Sequence, residues 1–152
     1  MKQALLVLVF SLNATAATPS EVGNFEGIVM TGAVVHHPVA INGGKLSSCV
    51  TSRNRNDQEI HTCAVEGASA TTAMTDGEPE LITFKKVVVL SAPPEMTHYY
   101  FSGSRTVQLG GREIVQAVSM TVNVTLKDKS RVWGFIELRE TGVRSAFEVL
   151  RK

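Results

Sequence analysis

The chain offers few side chains suited to chemistry, and its two cysteines, Cys49 and Cys63, come first among them. Three uses are open to such a pair: a structural disulfide, a dithiol redox couple, or thiolate ligands for a metal. A redox couple usually shows the short C-x-x-C spacing, which is absent. Metal ligation would draw on His36, His37, His61 and His98, all the histidines of the chain. None of them falls in an H-x-x-x-H or paired C-x-x-C pattern, so neither a metal nor a cofactor is implied. The segment between the cysteines reads instead as a hairpin. Residues 45–52 and 59–66 are β-compatible, and Asn54-Arg55-Asn56-Asp57 is rich in turn formers. Centring the turn on Asn56 sets position 49 opposite 63 and 51 opposite 61, close enough for a bridge. The same register puts His61 on the face of Cys63. Arg53 and Arg55 at the tip read as solvated charges.

No nucleophile motif is present, and no free thiol is left once the pair is bridged. Ser102-Gly103-Ser104 reads as a hairpin turn. Asp76, Glu78 and Glu80 flank Gly77 and Pro79 and lack EF-hand spacing, so they read as a solvated loop. His36-His37 would suit a base or a ligand pair. With Pro38 next to them they read as the end of an edge strand, where proline blocks further pairing. Gly43-Gly44 and Gly110-Gly111 are too short for a phosphate loop and precede no helix. With no catalytic constellation legible, the reading leans away from an enzyme.

Aromatic side chains are the remaining resource. They concentrate in His98-Tyr99-Tyr100-Phe101 and in Trp133 with Phe135. In a strand, alternate residues take opposite faces, so His98 and Tyr100 share one face and Tyr99 and Phe101 the other. One face fills the core, and the outward members form a recognition surface suited to Tyr and Trp. Tyr99, Tyr100, Trp133 and Phe135, with His36 and His37, are therefore the candidate binding surface.

The elements that must hold these residues read as strands throughout. Turn signals recur at Asn42-Gly43-Gly44, 54–57, Asp76-Gly77, Pro93-Pro94, Ser102-Gly103, Gly110-Gly111, Asp128-Lys129-Ser130 and Thr141-Gly142. Between Val118 and Leu126, apolar and polar residues alternate strictly, the mark of a half-buried strand. Residues 131–139 follow, with Val132, Ile136 and Leu138 on one face and Trp133 and Phe135 on the other. A last strand near 144–150 closes a C-terminal meander, with a helix as the competing reading there. Upstream, Val87-Val88-Val89-Leu90 suits a strand covered on both sides, and Lys85-Lys86 marks a bulge. The first strand is expected over 25–35. The fold class is all-β: an antiparallel β-sandwich or a small β-barrel of about 8–10 strands.

The first sixteen residues read as an address. Lys2, the apolar stretch 4–12 and the small-x-small triplet Ala14-Thr15-Ala16 make a bacterial-type signal peptide over 1–16. Residues 17–152 then form a single exported domain, periplasmic or secreted, where disulfides persist. In a eukaryotic host Asn123-Val124-Thr125 would be a glycosylation acceptor.

With 15 basic and 14 acidic side chains, the chain lacks the positive surface that nucleic acid requires. No apolar run is long enough for a spanning helix. An outer-membrane barrel is disfavoured by an aromatic content of 6% and by the absence of a terminal aromatic. The leading functional reading is an exported, non-enzymatic binding or interaction module on a disulfide-clasped β scaffold. The alternative is a β-barrel carrier of a small apolar ligand, and a hydrolase assembled by folding stands behind it. The partner is accordingly an unidentified protein or a small apolar ligand.

Overall fold

The computed structural model describes residues 22–31, 35–73, 79–92, 96–125 and 131–151. They form nine strands: β1 (Asn24–Thr31), β2 (Val35–Asn42), β3 (Lys45–Arg53), β4 (Glu59–Thr72), β5 (Glu80–Ala92), β6 (Met96–Leu109), β7 (Arg112–Thr125), β8 (Arg131–Leu138) and β9 (Arg144–Arg151). All pair antiparallel in one sheet of order β2-β1-β9-β8-β7-β6-β5-β4-β3, and a further β2–β4 pairing closes eight of them into a barrel. β3 is the extra strand, laid along the first half of β4.

Alternation dictates the core. Val118, Met120, Val122 and Val124 on β7 and Val132, Ile136 and Leu138 on β8 point inward and are buried, as their period-two pattern requires. Val87 and Val89 on β5 join them after a register shift between Phe84 and Lys86, where the two lysines mark the expected bulge. Phe84 and Phe101 meet inside with ring centroids 5.5 Å apart and planes tilted by 55°. Residues 144–151 are a strand and not a helix, since β8 and β1 flank them on both sides. Tertiary pairing overrides a local helix preference there.

One strand reading and two turn readings need revision. The strand expected over 25–35 is two strands, β1 and β2, which pair with each other from Asn24↔Asn42 to Thr31↔Val35. Asn42-Gly43-Gly44 does not reverse the chain. It kinks it, so that β2 and β3 run on along the same strand, β4, at Asn42↔Ser69 and Lys45↔Glu66. Gly44 takes a φ of 67°, which favours glycine, and its N–H donates to Asn42 Oδ1 over 3.0 Å. Finally, Ser102-Gly103-Ser104 lies in the middle of β6. A Cβ at Gly103 would collide with the Thr83 carbonyl of β5, so glycine serves close approach here and not a turn. Gly110-Gly111 does turn the chain between β6 and β7, both residues having positive φ.

Pro38 sits inside β2, paired with Ile28 of β1. The β2–β4 pairing stops at Ala40, two residues short of Pro38. A residue without an N–H therefore falls where β2 has only one partner.

Candidate functional site

The cysteines form the expected bridge, with Cα atoms 4.0 Å apart. Val50↔Thr62 and Thr51↔His61 pair in the register set by a turn on Asn56, and a shift between Ser47 and Val50 places Cys49 in a bulge. Asn54 organises the turn: its Oδ1 accepts from the N–H groups of Asn56 and Gln58, each at 2.9 Å. Cys63 is buried in the barrel wall, while Cys49 is half-buried on β3. The bridge thus fastens the extra strand to the barrel.

Beside it lies the arrangement nearest to a nucleophile and base. Thr51 Oγ1 is 3.0 Å from His61 Nδ1, and His61 Nε2 is 3.4 Å from Glu59 Oε1. Buried Glu59 Oε1 accepts no hydrogen bond, so the carboxylate does not orient the ring as a catalytic triad requires. The Thr51–His61 bond acts as a polar tie between β3 and β4.

The closed barrel is the form that the carrier reading calls for, but its interior is occupied by the protein itself. Phe25, Ile82, Met120 and Ile136 are 0% exposed, and Phe101 is 1% exposed. A ligand-sized cavity would leave its lining atoms open to water. Arg105, on the inward face where β6 leaves the barrel, is 7% exposed and held by Glu80 Oε2 at 2.8 Å and Gln116 Oε1 at 2.9 Å.

The outer wall made by β6, β7 and β8 carries the exposed aromatics. His98 pairs with Asn123, which pairs with Trp133; Tyr100 pairs with Thr121, which pairs with Phe135. Two rows of outward side chains therefore cross three strands, with Leu90 and Val88 of β5 continuing them. His98 and Tyr100 stack with centroids 6.0 Å apart and planes 21° from parallel. His98 Nδ1 lies 2.5 Å from Asn123 Oδ1, and because a carbonyl oxygen only accepts, the ring nitrogen donates. Asn123 is only 3% exposed although it faces outward, so it lies beneath its large neighbours and fixes the His98 ring from below. Arg144, ion-paired with Glu137, lies 4.6 Å over the Phe135 ring. Trp133 at 46% and Tyr100 at 40% exposure are the open members of the wall.

Of the residues proposed from sequence, the fold brings Tyr100, Trp133 and Phe135 together. Tyr99 is 8% exposed and turned into the barrel, behind the wall and not on it. His37 is half-buried on β2, across the barrel, and the His36 side chain lies outside the described ones. Sequence reading missed Asn123 and His98 as a pair. They are 25 residues apart, and only the β6–β7 register joins them. Comparison with protein-family models, with curated proteins and with solved structures finds no match to this chain.

Proposed function

We propose that the protein is an exported, non-enzymatic binding module that recognises a macromolecular partner through the outer face of β6–β8. One observation carries this reading: Tyr100 and Trp133, 40% and 46% exposed, stand on a wall ordered from below by the His98–Asn123 bond. Rigid, part-exposed Tyr and Trp, with Arg alongside, are the residues that dominate binding energy at interfaces. A regular β-wall presents them with little entropy left to lose. Export rests on the leader-like first sixteen residues and on the disulfide, which suits an oxidising compartment. The packed interior favours this reading over a carrier of a small apolar ligand.

The test uses the protein exported from its own host. Its denatured mass should match residues 17–152 less two hydrogens. A photo-reactive phenylalanine analogue in place of Tyr100 or Trp133 should yield one discrete adduct. The same analogue at exposed Lys85 on β5 should yield none. Equal labelling from all three positions, or adducts from none, would overturn the assignment of this wall.

A further inference from the structure

Opposite the aromatic wall, four strands from β7 in either direction, the outer face of β2 carries a groove. Three adjoining hollows form it. The first, about 600 Å³, includes Asn24, Asn42, Lys45 and Glu66. The second, about 260 Å³, lies between Asn24 and Glu26 on one side and Ser69 and Thr71 on the other. The third, about 310 Å³, continues over Ala40 and Pro38 to Pro79. The groove follows from how the barrel closes. β2 and β4 share only the pairs Ala40↔Thr71, Ile41↔Ala70 and Asn42↔Ser69, and β4 then shifts register between Ala64 and Ala68. The outward column of β2, Pro38, Ala40 and Asn42, is short and forms the floor.

We propose that this groove binds an extended peptide segment free of acidic side chains. From Pro38 to Lys45 the floor runs roughly 20 Å at the rise of a β-strand, room for about six extended residues. Asn24 and Glu26 on β1, and Ser69 and Thr71 on β4, repeat every two residues along the two walls. An extended peptide has the same two-residue repeat of roughly 6.6 Å, so successive main-chain amides meet successive side-chain partners. Asn42 has its Oδ1 engaged by Gly44 N–H and keeps its NH₂ to donate. Lys45 and Glu66 face each other across the β3–β4 register and offset one another, and Glu26 adds a carboxylate to the β1 wall, so the groove suits an occupant without acidic side chains. Among the described lining residues Phe25 is the one aromatic ring and is 0% exposed, so they offer no aromatic face for a sugar to stack on.

This inference is independent of the aromatic wall, and a displayed random decapeptide library tests it. Enriched peptides should bind the wild type and lose at least tenfold in affinity for Ala40→Arg and for Thr71→Arg. Both positions are exposed and outward, and both variants should keep the wild-type Tm. Trp133→Ala should bind the same peptides unchanged, and the side-chain amide resonances of Asn24 and Asn42 should shift on peptide addition. Absence of enrichment, or peptides that bind Ala40→Arg as well as the wild type, would refute the proposal. So would maltohexaose binding in the groove in place of peptide.

Discussion

β6 and β7 share fourteen consecutive residue pairs, from Met96↔Thr125 to Leu109↔Arg112, whereas β2 and β4 share three. The two regions lie on opposite sides of one barrel and solve different problems. The long ladder holds β6 and β7 together along their whole length, so its outer face carries rings in fixed rows. The seam must join strands that the chain has bent around the barrel, and it does so with glycines at Gly43 and Gly44, a bulge in β4 and a disulfide nearby. Where pairing is long, the outer face carries aromatic rows. Where pairing is short, it is hollow and lined by small polar groups.

The largest effect should come from breaking the wall. A Cβ at Gly134 would collide with the Thr121 carbonyl and press on the Phe147 ring. Gly134→Ala should cost about 3 kcal/mol or more by overpacking, read as a lowered denaturation midpoint. It should also disorder the rings of Trp133 and Phe135 on either side of it. A near-wild-type midpoint would mean that β7 and β8 are less closely packed than described.

Next comes the clasp. Replacing both Cys49 and Cys63 with alanine should lower stability by on the order of 3 kcal/mol, as expected for a cross-link closing a loop of this size. The comparison sharpens if hydrogen exchange rises in β3 and the adjoining half of β4 while β6–β8 stay protected. Uniform loss of protection would show instead that the clasp and the wall form one cooperative unit.

The smallest stability change should follow Trp133→Ala and Tyr100→Ala. Both side chains are only part-covered, so each should cost about 1–1.5 kcal/mol, less than the clasp, while removing partner binding. The chain has a single tryptophan, so fluorescence reports directly on this wall. A large drop in Tm for either variant would make these rings structural and remove the reason to read the wall as a binding face.

Composition and alternation alone determined much of this protein. Strict period two between Val118 and Val124 sends Val118, Met120, Val122 and Val124 to one face, and all four are buried in the core. Turn residues between two β-compatible runs determined the Cys49–Cys63 bridge, because a hairpin's register is local. The outward pairing of Tyr100 with Phe135 was half legible: alternation separates faces but does not say which face is wet. Closure was not legible at all. Gly43-Gly44 has the same composition whether it reverses the chain or kinks it, and Gly103 reads as a turn until Thr83 is found against it. The burial of Asn123 under His98, the filling of the barrel interior and the groove at the β2–β4 seam belong to the tertiary structure. Each depends on which distant strands become neighbours, and that is decided by the global balance of burial and loop closure, not by any local run of residues.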